Sequence, residues 1–371
     1  MAETPTSSPA SGDPDAGVST AGKKFACATC GAEAQWNPGK QALVCPYCGA
    51  VSPAKLEVRG ADTVIVEHDL VAALRGIPDS ERGWNAEKLS VKCQSCQAIS
   101  VFDPGQIGRK CDFCGSSALV PYAEAKEPFR PESLLPFAVS EPQARDAIHG
   151  WYKRQWLAPN GFSGKARTDS VRGIYLPYWT FDAHADAQWT AESGRYYYVE
   201  VNGKREQRTE WSYASGQLSH DFDDELVCAS VGVNADRLRK VEPFPTGSLV
   251  PFDAGYLSGW TVERYQIDLV AAAQRSRQQM DSELESLCSR QVPGDTQRNL
   301  QVSAAYSGQT YKHILAPVWM LTYVYGAKPY QVVVNGVTGT ISGTRPWSWV
   351  KITLLVIAAL IVLLFVLSVN N

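Results

Sequence analysis

The chain has 371 residues, of which 44% are hydrophobic and 20% are charged, and its formal net charge at pH 7 is −3. This length allows roughly two or three domains, and the near-neutral charge excludes a uniformly basic nucleic-acid coat protein. The first 22 residues are rich in Pro, Ser, Thr, Ala and Gly, with no charged segment followed by an apolar stretch. We therefore expect residues 1–22 to be disordered rather than a signal peptide.

Eight of the ten cysteines form two modules of identical spacing, C-x2-C-x14-C-x2-C, within predicted zinc ribbons at 23–55 and 91–122. The candidate metal ligands are Cys27, Cys30, Cys45, Cys48, Cys93, Cys96, Cys111 and Cys114. Four thiolates suit a closed tetrahedral Zn²⁺ site, which leaves no open position for catalysis. A redox-active CxxC, the alternative, would not need a second pair at a fixed distance. We predict two structural Zn²⁺ ions, and we expect chelation to unfold the ribbons while the middle domain stays folded.

A residue with positive φ is expected after the second cysteine of each CxxC pair, since it turns backbone N–H groups toward the sulfur atoms. Gly31, Gly49 and Gly115 occupy three of these places, and Gln97 occupies the fourth, where we expect a less regular turn.

A helical connector is predicted at 56–90, between the two ribbons. Leu70, Val71, Leu74 and Ile77 recur at helical spacing, and Asp69 precedes them as a candidate N-cap.

The segment 123–345 contains a weaker internal repeat. "SLLPF" (133–137) recurs as "SLVPF" (248–252), and "IYLPYW" (174–179) recurs as "ILAPVW" (314–319). Each of the latter strands leads toward an Asn-Gly pair, at 202–203 and 335–336, which is typical of a two-residue hairpin turn. We predict a β-rich domain of two similar α+β halves, each a helix with an antiparallel meander.

One helix is predicted in each half of this domain. The first begins after Ser140 and ends at 159–161, with Ala144, Ala147, Ile148, Trp151 and Trp156 on one side. The second lies within 265–295, and its buried face is marked by Met280, Leu284, Leu287 and Cys288. The isolated Cys228 and Cys288 are expected to be small buried residues.

Motifs of common enzyme active sites are absent from the sequence. It contains no G-x-S-x-G, no H-E-x-x-H and no Walker A motif, since "GFSGKA" (161–166) departs from G-x4-G-K-[ST]. The acidic stretch "HDFDDELV" (220–227) lacks the calcium-loop pattern, so a solvated loop or hairpin edge is favoured over a cation site. We predict that the protein is not an enzyme.

The C-terminal segment 346–371 is a predicted transmembrane anchor. Residues 352–369 are apolar apart from Thr353 and Ser368, and as a helix they span roughly 27 Å, close to the thickness of a bilayer's hydrocarbon core. Trp347 and Trp349 would lie at the headgroup level, and Arg345 and Lys351 favour a cytoplasmic location for the upstream side. We expect a tail-anchored protein of the cytoplasmic (inner) membrane, with its bulk in the cytosol.

These features together resemble a family of bacterial membrane-anchored double zinc-ribbon proteins. The resemblance rests on the two CxxC modules and on "RPESLLPF", "APNGF", "IYLPYWTFDA", "FDDELV", "YKHILAPVW", "VNGVTG" and "RPWSWVK". Members carry the descriptions TFIIB-type zinc ribbon-containing protein and primosomal protein N′ (replication factor Y), superfamily II helicase-like. The missing Walker A motif separates this chain from a helicase. The resemblance therefore implies zinc binding by the eight cysteines and not strand separation.

Two functions fit these observations. The first is a membrane-tethered adaptor whose paired ribbons bind a protein partner. The layout is also similar to that of a Bacillus zinc-ribbon membrane protein, which implies membrane-stress partners of the PspA-like or SPFH (flotillin-like) type. The alternative is a nucleic-acid-binding protein related to replication or transcription. In that case Trp36, Tyr47, Phe102 and Phe113 would stack on bases, and the Lys and Arg residues around the ribbons would contact phosphates.

Overall fold

A computed structural model gives the fold and describes residues 25–51, 65–75, 89–102, 110–121, 131–159, 171–201, 203–325 and 328–369. The predicted disordered segment 1–22, Ile77 of the connector and the "GFSGKA" segment lie outside the described residues. The predicted domain boundaries stay predictions. We call residues 25–51 ribbon 1, and residues 89–102 with 110–121 ribbon 2.

The described residues form an α+β fold, as predicted. Its helices are α1 Leu70–Arg75, α2 Glu141–Lys153, α3 Ala235–Leu238, α4 Leu269–Gln291 and α5 Trp349–Val369. Its strands are β1 Gln35–Asn37, β2 Ala42–Val44, β3 His68–Asp69, β4 Leu89–Cys93, β5 Ile99–Phe102, β6 Leu119–Pro121, β7 Ser133–Leu134, β8 Arg172–Val201, β9 Lys204–Cys228, β10 Val250–Pro251, β11 Thr261–Glu263, β12 Thr296–Tyr325, β13 Lys328–Asn335 and β14 Ile341–Gly343.

A large mixed sheet carries nearly all of these strands. Its main path runs β10-β7-β12-β8-β11-β5-β4-β6, with β9 beside β8, and with β3 and β13 beside β12. The strands of ribbon 2 are therefore part of this sheet, because β5 pairs with β11. Ribbon 1 has its own two-stranded hairpin, β1–β2.

The two halves of the domain meet through the long strands β8 and β12. They pair antiparallel, and Leu176 lies opposite Ala316, so the repeated segments 174–179 and 314–319 cross at their centres. Each half supplies a helix followed by a hairpin, α2 with β8–β9 and α4 with β12–β13. The "SLLPF" and "SLVPF" segments are not equivalent in this arrangement, since β7 pairs with β12 whereas β10 pairs with β7.

The two Asn-Gly pairs behave differently. Val201 pairs with Lys204 across a two-residue turn in which Gly203 has a φ of +71°, as predicted. The turn predicted at Asn335-Gly336 is wrong. Its connection runs on to Ile341, because the Asn335 side chain accepts hydrogen bonds from the Val337 and Thr338 N–H groups and so builds a longer turn.

Helix α4 covers one face of the long sheet. Alternate residues of β8, including Ala185, Ala187 and Trp189, are buried in a cluster with Met280 and Leu284 of α4. Small alanine side chains allow the helix to approach the sheet closely, and the period of two places polar residues on the opposite face. Cys288 is buried as predicted, whereas Leu287 and Cys228 are only partly buried.

Helix α2 begins at the predicted place but ends early. Ser140 and Gln143 form a capping box. The helix stops at Lys153, so Trp156 lies in the following loop and not on the buried face, where Tyr152 packs instead. The prediction that Trp156 shares one side of this helix with Ala144 and Ile148 is therefore wrong.

In helix α1 the predicted N-cap is confirmed, but the predicted buried face is not. The Asp69 carboxylate accepts a hydrogen bond from the Ala72 N–H at 2.7 Å. Leu70 and Ala73 are buried in the cluster that contains Tyr311, while Val71 and Leu74 are exposed, so the buried side of the described part of the helix differs from the predicted one.

Helix α5 is long and apolar enough to cross a membrane, and none of its apolar stretch is buried within the protein.

Candidate metal centres

The structure brings the four thiols of each module together. In ribbon 1 the Cys27 and Cys48 Sγ atoms are 3.6 Å apart, and those of Cys30 and Cys45 are 3.5 Å apart. The corresponding pairs of ribbon 2, Cys93–Cys114 and Cys96–Cys111, are both separated by 3.6 Å. In each module all four Sγ atoms lie within 4.8 Å of one another.

These distances fit a tetrahedral metal and exclude disulfides. A tetrahedron with Zn–S bonds of about 2.3 Å has edges of roughly 3.8 Å, whereas a disulfide bond measures about 2.05 Å. All eight cysteines are free thiols. Both groups could hold a metal ion, and the all-thiolate donor set suits Zn²⁺.

All four CxxC turns share one backbone geometry. The residue after each pair donates its N–H to the carbonyl of the pair's first cysteine; Gly31 donates to Cys27 at 2.8 Å and Gly115 to Cys111 at 2.8 Å. Gln97 does the same to Cys93 at 2.9 Å, with a φ of +65° that matches the glycines. The irregular turn predicted at Gln97 is therefore wrong, since its side chain tolerates the left-handed conformation.

The turns also favour the thiolate form of particular cysteines. Hydrogen bonds from the backbone N–H groups of Thr29 and Cys30 lower the pKa of Cys27 to about 6. In ribbon 2, the Cys96 side chain and the N–H groups of Cys114 and Phe113 lower the pKa of Cys111 to about 5. The pKa values of their partners Cys30, Cys48, Cys96 and Cys114 are raised, so without a metal the turns favour the metal-binding thiolate at only part of each site.

The two ribbons differ most at one matched position. Tyr47 and Phe113 each lie directly before the last cysteine of their module. Tyr47 is 82% exposed, whereas Phe113 is 0% exposed and belongs to the apolar cluster that contains Leu135 and Ile174. The Phe113 carbonyl also accepts hydrogen bonds from the side chains of Thr322, at 2.8 Å, and Gln331. Ribbon 2 thus inserts its turn into the middle domain, and ribbon 1 presents its turn to solvent.

Ribbon 1 is attached to the middle domain through its opposite side. The Trp36 indole N–H donates to the Phe137 carbonyl at 3.3 Å, and the Trp36 ring lies 4.6 Å from that of Tyr256. The Ser258 hydroxyl donates to the Ala34 carbonyl at 2.8 Å. Ribbon 1 is therefore docked in a defined orientation.

This burial corrects the base-stacking interpretation. Trp36 and Phe113 are both buried, so neither ring can stack on a nucleic-acid base. Tyr47 keeps an exposed ring, and the Phe102 side chain lies outside what the structure describes. Among the basic residues around the ribbons, Lys40 and Lys110 are exposed and Lys92 is half-buried; Lys23, Lys24, Lys55, Arg59, Lys88 and Arg109 lie outside the described residues.

A third group of potential ligands consists of Asp182, Asp223 and Asp224. Its charge is already offset by Lys312, whose ammonium lies 2.8 Å from Asp224 and 3.0 Å from Glu67. Thr310 donates to Asp182 at 2.8 Å. The acidic stretch 220–227 thus lies near the C-terminal end of β9, where the ammonium of Lys312 balances part of its negative charge.

Glu263 is a buried carboxyl group that no sequence pattern indicated. It lies on β11 with 0% exposure, and burial raises its pKa to about 8, against the opposing influence of the Ser230 and Gln266 side chains. A single carboxyl on a three-residue strand has no periodic signature, which is why sequence reasoning missed it.

Comparison with known proteins identifies one uncharacterized relative. The chain is 28% identical over 223 residues to the uncharacterized protein YdjG of Bacillus subtilis (strain 168), an alignment that covers 60% of this chain and 65% of the relative. The chain thus spans slightly less than two thirds of that protein. No family model matches the chain, and no solved structure matches it.

Proposed function

We propose that this protein is a non-enzymatic, membrane-tethered zinc protein whose ribbon 1 binds a protein partner at the cytosolic face of the membrane. Two Zn²⁺ ions, one on each set of four cysteines, hold the ribbons in shape. The apolar helix α5 tethers the chain, with Arg345 and Lys351 on the cytosolic side.

The observation that carries this proposal is the opposite exposure of Tyr47 and Phe113. A buried turn has a structural role, whereas a large aromatic side chain held in solvent by a rigid metal site has no role in the fold. Exposed tyrosines are enriched at protein interfaces because they bury much area at little entropic cost. Val51, which is also exposed and bridges to Val44 of the same ribbon, adds apolar area nearby.

The experiment is site-specific photo-crosslinking of the full chain in membranes. A photoreactive amino acid at Val51 samples the surface around Tyr47, and one at the exposed Ser95 is the control on ribbon 2. We expect a discrete protein adduct from position 51 that disappears when Tyr47→Ala is added. Mass spectrometry then identifies the adduct, and PspA-like and SPFH-type proteins are the first candidates.

Four outcomes contradict the proposal. An adduct that persists in Tyr47→Ala, or that forms equally from position 95, removes the role of Tyr47. An adduct that nuclease digests supports nucleic-acid binding instead. Finally, the absence of any adduct at position 51 excludes a stable partner on this face.

A further inference from the structure

The loop that follows α2 lies directly against the start of α5. The Lys351 ammonium donates to the Trp156 carbonyl at 2.9 Å and to the Ala158 carbonyl at 2.8 Å. The Ser348 N–H donates to the Leu157 carbonyl at 2.9 Å. Three backbone carbonyls of this loop are thus bound by the first turn of the apolar helix and the residue before it.

This contact gathers aromatic side chains that are nearly 200 residues apart in sequence. Trp156 is 64% exposed, Trp347 is 53% exposed and Trp349 is 80% exposed. Tryptophan is the residue most typical of the headgroup region of a bilayer, because its ring is apolar and its N–H remains hydrogen-bonded. An exposed tryptophan fixed beside the first turn of a membrane span lies at the depth where this preference operates.

Basic side chains surround the same surface. Lys153 and Arg154 are exposed at the C-terminal end of α2, and the Arg345 guanidinium lies 4.6 Å from the centre of the Trp347 ring. Positive charge next to interfacial aromatic residues matches the phosphate groups and the negative surface potential of the cytoplasmic leaflet. Asp182, Asp223 and Asp224, the acidic cluster described above, lie on β8 and β9 and are not part of this surface.

We infer that Trp156, with Lys153 and Arg154, forms a second membrane contact, in which the loop 154–158 lies in the headgroup layer of the bilayer that α5 crosses. The occupant of this surface is lipid. The loop and α5 then hold the middle domain in one orientation on the membrane, instead of leaving it to swing on a single helix. This inference rests on the proposed membrane tether and extends it to a segment in the middle of the chain.

The test uses the full chain, labelled with 5-fluorotryptophan and reconstituted in nanodiscs of phosphatidylcholine and phosphatidylglycerol. Fluorine NMR spectra are compared with and without a lipid that carries a gadolinium chelate on its headgroup. Trp156→Phe, Trp349→Phe and Trp211→Phe assign the three resonances that matter. Trp211 pairs with Gly194 near the far end of β8, roughly 70 Å along the strand from its start, and is the distant control.

We expect the gadolinium lipid to abolish the Trp156 and Trp349 resonances and to leave the Trp211 resonance unchanged. Loss of the Trp349 resonance with an intact Trp156 resonance would overturn the second contact while leaving the membrane tether in place. If both resonances survive, the tether itself fails, and with it this inference. Loss of the Trp211 resonance as well would mean that the broadening does not report the contact geometry, and the assignment of lipid contact to Trp156 would be rejected.

Discussion

The matched residues Tyr47 and Phe113 allow the roles of the two ribbons to be separated by single substitutions. Phe113→Ala removes a ring with no exposed surface, and a phenylalanine of this kind contributes roughly 4 kcal/mol through its buried apolar area and the cavity it leaves. The site cannot easily collapse, because Gly232 and Ala98 line it closely; a β-carbon placed on Gly232 would lie 2.8 Å from both Ala98 and the Phe113 ring. Tyr47→Ala changes an exposed position and should alter stability by no more than about 0.5 kcal/mol.

The assay is thermal unfolding of the full chain in detergent, followed by circular dichroism, with zinc content measured on the same samples. A loss of about 4 kcal/mol corresponds to a decrease in Tm of roughly 10 °C for a domain of this size. Phe113→Leu is the graded control and should lose about 1.5 kcal/mol. Equal Tm values for Phe113→Ala and Tyr47→Ala would refute the assignment of ribbon 2 to the core.

Three further predictions follow from the metal centres and the buried carboxyl group. Gln97→Gly should stabilise the protein by about 0.5 kcal/mol, because glycine removes the cost of positive φ, although its more flexible unfolded chain offsets part of this gain. Gly31→Ala introduces a side chain at the equivalent turn of ribbon 1 and should destabilise the protein. Chemical denaturation measures both changes. Chelation of zinc should lower the Tm of the middle domain as well as unfold the ribbons, since Phe113 packs ribbon 2 against the core. If protease digestion after chelation spares residues 131–345, this prediction is wrong, and the middle domain stays folded without zinc as the sequence alone suggests. Burial keeps Glu263 protonated in the folded state up to about pH 8, whereas its ordinary pKa is 4.5, so the folded state binds the additional proton and stability falls as pH rises through this window. Glu263→Gln should therefore gain stability relative to the wild type as pH increases from 4.5 to 8, and parallel urea midpoints across that range would show the idea to be wrong.

Local patterns in the sequence predict the local parts of this structure well. The CxxC spacing leads directly to two groups of four thiols, Ser140 and Asp69 cap the helices that they precede, and the apolar run at the C-terminus forms α5. In each case the cause acts over a few residues, so neighbouring letters in the sequence are enough to predict it.

Long-range contacts decide the features that sequence reasoning missed. Tyr47 and Phe113 have equivalent neighbours in sequence, and long-range contacts, the pairing of β5 with β11 and the hydrogen bonds from Thr322 and Gln331, hold Phe113 in the core. Trp156 continues the apolar spacing of α2, but the loop that contacts α5 begins before it. Helical periodicity predicts which residues share a face and cannot show where tertiary contacts end the helix.

The antiparallel pairing of β8 with β12 has a practical consequence for dissecting the protein. Each strand has 30 residues, and they pair with each other from Arg172 to Gly194 of β8 and from Thr296 to Met320 of β12. A fragment that contains only one half would expose this edge as a long template for aggregation, and an isolated ribbon 2 would expose Phe113. Truncation is therefore a poor way to assign functions to the parts of this chain, and point substitutions in the intact protein are the appropriate tool.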